Sequence, residues 1–230
     1  MSKISIIIPM LNEAETISKL LDHLLENSSP NNIKDLIVVD GGSEDNSRSI
    51  VSSYPNVTLI ISERGRAKQM NAGANIATGN IFYFLHADSF PPKHFDRFII
   101  EEVSKGNMAG CFRMQFDHKH WWLRLAGWLT QFRWRACRGG DQSQFISKQL
   151  FEALDGFDEN YTIYEDNDLI NKLYAKNEFT VIQQRLTTSA RCYRKNGVWR
   201  LQYHFWAIYV RKWLGATPKE LQSYYAQHIK

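Results

Sequence analysis

Three polar turns interrupt the first half of the chain, each directly after an apolar run. They are Pro9-Met10-Leu11-Asn12-Glu13, Asp40-Gly41-Gly42-Ser43 and His86-Ala87-Asp88. An acidic pair, Glu165-Asp166, stands much further on. Carboxylate oxygens are natural ligands for a hard divalent ion, and such an ion steadies negative charge growing on a leaving phosphate. A carboxylate set apart from that ion can take the proton of an attacking hydroxyl. Each motif also has a plainer explanation. Asn12 can cap the first helix, Asp40 can be a turn residue, and Asp88 can start the turn before Pro91-Pro92. Glu165-Asp166 can be a helix N-terminal acidic pair held by the dipole. It is their common position after consecutive strands that favours a ligand site.

The elements that must position these residues alternate. Ile4 to Ile8 reads as a buried strand stopped by Pro9, and Ala14 to Leu25 carries apolar residues at helical spacing. Leu36 to Val39 is a second strand, with Ser43 or Asp45 able to cap the helix that runs to about Ser53. Val57 to Ile61, Arg66 to Ala77 and Ile81 to Leu85 continue as strand, helix, strand. Uniformly apolar strands separated by helices indicate an α/β fold with a mostly parallel central sheet covered on both faces. In such sheets ligands bind beyond the carboxyl ends of the strands, where all three turns lie. From Met108 the pattern changes. A strand-like stretch reaches Phe116, an aromatic, basic segment runs from Trp121 to Arg135, and a short strand at Gln144 to Ile146 meets a helix at Lys148 to Leu154. Asp166 to Tyr174 reads as helix, Phe179 to Ile182 as strand, Val198 to Leu214 as a long amphipathic helix, and Pro218 as the first turn of a last one. The expected organisation is one α/β domain over residues 1–195, with a helical extension, 196–230, packed on it.

Composition sets the outer bounds. At 230 residues, 43% hydrophobic and 23% charged, the chain has the make-up of an ordinary globular domain. A formal charge of +4 mildly favours a phosphorylated ligand or an anionic surface. Cys111, Cys137 and Cys192 are far apart and lack CxxC spacing, which argues against a disulfide framework or structural zinc. No signal peptide and no bilayer-spanning apolar run is read in the sequence, so the expected location is cytoplasmic, with contact at the inner membrane face as the alternative.

The order of motifs resembles family 2 glycosyltransferases with the GT-A fold. The resemblance rests on Ser5 to Glu13, on Val38 to Asp45, on Phe84-Leu85-His86-Ala87-Asp88, on Asp155 to Glu159 and on Glu165 to Leu169. It covers about residues 4 to 175 in correct order. A narrower resemblance is to the radical-SAM- and selenodomain-associated group, some of whose members are assigned to arsenosugar biosynthesis. It rests on Gly65 to Gly73, Phe84 to Asp88, Gly140-Asp141-Gln142, Thr188 to Arg191 and Gly197 to Arg200. The resemblance implies that Pro9, Leu11, Asn12, Glu13, Asp40 and Gly42 bind the nucleotide of a UDP- or GDP-sugar. Asp88 would be the metal ligand, with His86 standing where the family carries the first Asp of Asp-x-Asp. Imidazole ligates Mn²⁺ but is a poor ligand for Mg²⁺, so either cation is carried forward. Arg66 and Lys68, at a helix start, would add charge against the diphosphate, or simply form a solvated face. Asp166 would be the base of an inverting transfer, with Glu165 in reserve, and Asp168 would support the helix. Asp141 and Gln142 would contact donor sugar or acceptor.

Two segments interleave aromatics with arginine. Trp121, Leu125, Trp128, Leu129 and Phe132 share one helical face, and Trp199, Phe205, Trp206, Tyr209 and Trp213 form a second. Two readings fit: seating at a membrane interface, or packing against the core or a twin subunit. Nucleic-acid binding is not expected, because no recognised module accompanies these segments. The acceptor is therefore either a small soluble hydroxyl compound or a lipid phosphate, and a non-catalytic nucleotide-sugar-binding protein is the third possibility.

Overall fold

The structure is a computed structural model that describes residues 2–139 and 142–229; Asp141 lies outside the described residues. Its first half follows the expected alternation. Strand β1 (Ile4–Met10) lies between β2 (Ile33–Asp40) and β4 (Ile81–Phe84), with β3 (Thr58–Ile61) beyond β2, and all three pairings are parallel. The β-branched strands are buried on both sides. Ile6, Ile8 and Val38 enter one apolar cluster with Leu20, Leu21 and Leu24 of α1 (Ile17–Asn27). Ile7, Ile37 and Val39 enter another with Ala67, Met70 and Ala74 of α3 (Arg66–Ile76). Glycine makes the α3 packing close. A Cβ on Gly73 would sit 2.5 Å from the Ile7 side chain.

Beyond β4 the sheet is mixed, a departure from the simple parallel pattern. Strand β7 (Gln144–Ser147) pairs antiparallel with both β4 and β6 (Ala109–Phe116), and β6 pairs in parallel with β8 (Thr180–Thr188). The two-residue strand β5 (Ser89–Phe90) closes the edge against β8. Gly110 is needed here, because an added Cβ would lie 2.4 Å from the Thr180 carbonyl oxygen and 2.9 Å from the Phe145 ring. Gly110→Ala should therefore cost about 1–3 kcal/mol, read as a fall in the urea midpoint. An unchanged midpoint would mean that the β6–β8 spacing relaxes freely.

Several local expectations are corrected. Helix α1 starts at Ile17, and Thr16 rather than Asn12 occupies its cap position. Helix α2 (Ser47–Ser52) follows Asn46, not Ser43 or Asp45, although Asp45 Oδ1 accepts from the Ser47 amide at 3.0 Å. Strand β8 runs six residues past Ile182, and helix α4 (Phe95–Ser104) fills a stretch given no element from sequence.

The remaining helices are α5 (Trp121–Leu129), α6 (Lys148–Ala153), α7 (Glu165–Ala175), α8 (Arg191–Asn196), α9 (Val198–Trp213) and α10 (Pro218–His228). A third apolar cluster joins Leu201, Ile208 and Leu221 of the tail helices to Leu123, Tyr161, Ala190 and Tyr193. The tail is thus fastened to the 118–193 region by a core of its own.

Candidate active site

The carboxyl ends of β1, β2 and β4 meet at one edge of the sheet, because Met10 pairs with Asp40 and Ile7 with Phe84 in register. From there the turns are stitched together. Asn12 adopts a left-handed backbone (φ 55°) that few residues other than glycine and asparagine accept readily. Its amide donates to Ser43 Oγ at 2.9 Å, and its side-chain Oδ1 accepts from the Glu44 amide at 2.8 Å. The Glu13 amide donates to Ser47 Oγ at 2.8 Å. Asn12 is therefore a joint between two loops.

Asp40 organises the second loop from the inside. It is fully buried, and its carboxylate accepts from the Gly42 and Ser43 amides at 3.0–3.1 Å and from Arg48 Nε at 2.6 Å. Burial pushes its pKa up, but the bonds from Ser43, Arg48 and Gly42 outweigh that and hold it below the ordinary value. Gly42, exposed at φ 96°, forms the bend. Pro9 and Leu11 are half-buried on the adjoining turn. Gln69 braces the two strand ends, donating from Nε2 to the carbonyls of Met10 at 2.9 Å and Val39 at 2.7 Å.

Beyond the β4 turn, Glu165 and Asp166 sit in the first turn of α7 and are almost fully buried. Arg66 Nη1 lies 3.4 Å from Glu165 Oε1 and 3.9 Å from Asp166 Oδ2. His86 Nε2 lies 4.0 Å from the same Asp166 oxygen, so the β4 turn and α7 face each other. Asp88 keeps about a quarter of its side chain exposed, with Arg191 Nη2 3.9 Å away. Arg191 in turn grips Glu13 with both terminal nitrogens, at 3.0 and 2.6 Å. A continuous chain of contacts thus runs from Asp40 through the stitched loops to Glu13, Arg191 and Asp88. A second runs from His86 to Asp166 and Arg66. Each of these carboxylates faces a cation, an arrangement suited to holding and releasing a multiply charged anion.

Not every candidate joins this cluster. Lys68 is on the outer side of α3, ion-paired with Glu63. The Gln142 side chain is buried and engaged internally, donating to the Cys137 carbonyl at 3.2 Å and accepting from the Cys111 thiol. The 155–159 motif binds α3, with Asn71 bonded to the Phe157 backbone and to Glu159. Asp168 pairs with Lys172 at 3.1 Å, as a helix-supporting residue would. Sequence reasoning gave no separate role to Arg48, Gln69 or Arg191. Arg191 is 178 residues from Glu13, and only its presence in the Thr188 to Arg191 motif hinted at it.

A cation was expected at Asp88 and His86. Among the described residues, no three His, Cys, Asp or Glu side chains form a group that could hold a metal by themselves. Asp88 offers one partly exposed carboxylate at a strand end, the donor set of a cation whose other ligands come from phosphates and water. The residues fit a cation completed by its substrate.

Comparison with known proteins bears on the whole arrangement. Residues 5–156 match the sequence model described as Glycosyl transferase family 2. Glycosyltransferase AglE of Haloferax volcanii is 33% identical over 94 residues, covering 38% of this chain and 31% of that protein. The undecaprenyl-phosphate 4-deoxy-4-formamido-L-arabinose transferase of Proteus mirabilis is 32% identical over 121 residues, covering 49% of this chain and 37% of that protein. The chain thus spans about a third of the length of these two curated relatives. Among solved structures, S. aureus TarS 1-349 in complex with UDP-GlcNAc superposes with a TM-score of 0.66 at 19% identity. That match covers 82% of this chain and 59% of the TarS chain, and the shared architecture is the GT-A fold.

Proposed function

The chain belongs to glycosyl transferase family 2, and on that premise we propose that it transfers a sugar from a UDP- or GDP-linked donor to a hydroxyl acceptor with inversion. This reading rests on the turns of β1, β2 and β4 sharing one sheet edge, on Arg191 lying between Glu13 and Asp88, and on His86 and Arg66 facing the α7 carboxylates. In this reading Pro9, Leu11, Asn12 and Gly42 shape the nucleotide-binding shelf, and Asp40 fixes it from within. Glu13 holds Arg191 at the diphosphate. Arg66, 3.4 Å from Glu165 and 3.9 Å from Asp166, orients the α7 carboxylates. Asp166, opposite the departing diphosphate, takes the proton from the acceptor hydroxyl as it attacks the anomeric carbon. Asp88, with His86 beside it, would hold a Mn²⁺ or Mg²⁺ ion whose chemistry is to neutralise charge on the leaving diphosphate. Asp141 and Gln142 remain candidates for sugar contact; Gln142 would have to release Cys111 and Cys137 to make one. The radical-SAM- and selenodomain-associated group is the subgroup we favour, on the motifs that include Arg66 and Arg191.

Arg191→Ala separates the roles of cations in the site. UDP affinity measured without divalent ions should fall about 10- to 100-fold, the value of a charge-assisted bond. With Mn²⁺ the loss should be smaller, because Glu13 and Asp88 are then relieved of their arginine. Unchanged affinity in both conditions would confine Arg191 to a structural tie.

The reading itself is tested by screening UDP- and GDP-sugars for thermal stabilisation with Mn²⁺ or Mg²⁺. Saturation at about 100 times the dissociation constant adds about 2.7 kcal/mol to stability. No stabilisation and no donor hydrolysis by any of them would overturn it. Stabilisation without turnover on any acceptor would instead favour the non-catalytic binding protein.

A second reading, with a lipid phosphate as acceptor, is supported by the name of the Proteus mirabilis relative. An acceptor phosphate is already ionised and needs no base. Under it, Asp166 should matter little to turnover.

A further inference from the structure

All seven tryptophans of the chain fall in two segments, residues 118–139 and 191–218. The same segments hold eleven of the 28 lysines and arginines and none of the 24 acidic residues. The remaining chain is consequently net acidic. Arg138 is buried and Arg191 and Arg194 pair with Glu13 and Asp117, and the remaining basic residues share α5, the turns flanking it and α8–α9 with the aromatic surface.

The structure turns these aromatics outward. Helix α5 seats Leu123 and Gly127 against β6; a Cβ on Gly127 would lie 2.8 Å from the Met114 carbonyl oxygen. The opposite stripe, Trp121, Leu125 and Trp128, is left 59%, 38% and 50% exposed. On α9 the positions spaced four and three apart, Trp199, Tyr203, Trp206, Val210 and Trp213, are each about half exposed or more. The two stripes merge. Trp199 meets Trp121 and Trp122 with ring centroids 5.7 and 5.5 Å apart, and Trp122 Nε1 donates to Gln202 at 3.0 Å. Arg124 and Arg200 are exposed beside this junction and have no acidic residue on their own helices.

We propose that α5 and α9 form a docking surface for an anionic lipid bilayer. Indole rings beside arginines suit the headgroup region, where the ring body is apolar and the edge stays hydrated. At 16 residues α9 is about 24 Å long, and no helix among the described residues is long and apolar enough to cross a membrane. The surface therefore lies in the interface plane, as amphipathic helices with basic polar faces do. A second copy of the chain fits less well. A two-fold contact through this face would set Arg124 and Arg200 against one another's copies with no carboxylate to pair them. The docked face is also close to the start of α7. Tyr209 of α9 stacks edge-on to Tyr164, the residue before Glu165, at 5.8 Å.

The test needs no donor or acceptor, so its outcome is separate from the transfer reaction. The full chain is sedimented with vesicles of phosphatidylcholine alone or mixed with phosphatidylglycerol. Tryptophan fluorescence is followed in parallel with brominated lipid. The expected result is salt-sensitive pelleting with the anionic vesicles, together with bromolipid quenching. R124Q/R200Q should weaken partitioning at least about tenfold, since each basic group near an anionic surface contributes measurably. W121A/W199A should lower both pelleting and quenching. These positions are exposed, so unaltered circular dichroism and melting keep the comparison valid, and quenching of the wild type needs no variant. No pelleting at low salt, or pelleting without quenching, would overturn the proposal. So would concentration-dependent self-association in ultracentrifugation that W121A/W199A abolishes, because a second copy would then own the surface.

Discussion

Asp166→Asn should lower kcat about 100- to 10,000-fold toward a hydroxyl acceptor, the range spanned by general-base catalysis, while the donor dissociation constant changes little. The substitution keeps size but removes the charge and turns one acceptor oxygen into an NH2 donor. Asp166 lies in the first turn of α7, almost fully buried, with Arg66 at 3.9 Å and His86 at 4.0 Å. A carboxylate held beside an arginine and an imidazole next to the β4 turn is placed, under the proposed function, to take the acceptor's proton. Its other contribution is smaller. Losing one negative charge at a helix N-terminus costs about 0.3–1 kcal/mol, which would move the melting temperature slightly and leave the rate untouched. Steady-state kinetics beside a melting curve therefore separates the two roles. If kcat stays within a fewfold of wild type, the base is Glu165 or the acceptor brings its own ionised oxygen. Glu165→Gln decides between those, since a lipid-phosphate acceptor makes both variants competent.

Asp40→Ala should damage the fold and the donor site together. The carboxylate is fully buried and is the shared acceptor for the Gly42 and Ser43 amides and for Arg48. Its removal leaves the buried Ser43 amide and the part-buried Gly42 amide without their acceptor and releases the loop that Asn12 and Ser43 stitch to the first turn. Stranded buried donors cost about 1–3 kcal/mol each, so a loss of about 2–4 kcal/mol and a several-degree fall in melting temperature are expected. UDP binding should weaken by at least about tenfold for the same geometric reason. Asp40→Asn should recover part of the stability through its remaining carbonyl oxygen. The pH dependence has a definite sign. The folded-state pKa of Asp40 is depressed, so its contribution is present above the unfolded value of about 3.9. It fades as pH falls through the folded value. Wild-type melting should therefore drop more steeply than that of Asp40→Ala below about pH 4. Parallel curves would mean that Asp40 is a turn residue of ordinary pKa.

The first half of the fold was legible because its central strands end in short apolar runs and α1 carries period-3.6 apolar spacing. Ile4–Met10, Ile33–Asp40 and Ile81–Phe84 each stop at a polar turn, and parallel pairing then forces those turns to one edge. The antiparallel entry of β7 next to β4 was not readable, because strand periodicity carries no direction. Helix α4 was missed behind Pro91-Pro92, where His94 turns the chain through a left-handed conformation. Local motifs singled out Asp88, His86 and the α7 pair as candidates, and the structure sets His86 4.0 Å from Asp166. The Arg191–Glu13 grip was not legible, since a contact across 178 residues leaves no periodic trace. Burial also changed the meaning of some residues. Asp40 shapes the loop from below, and Gln142 spends its amide on Cys111 and Cys137. The aromatic stripes were visible as stripes, but spacing alone does not say which face of a helix meets the core.

The central claim is that Asp88 and the stitched turns around Asp40 serve one diphosphate through a shared cation. Calorimetric titration of UDP into the wild type and Asp88→Ala, each with and without Mn²⁺, tests it most directly. Mn²⁺ should tighten UDP binding to the wild type by about tenfold or more, the scale of one direct carboxylate–metal link. In Asp88→Ala that increment should vanish while metal-free binding persists. Equal Mn²⁺ enhancement in both proteins, or none in either, would contradict it.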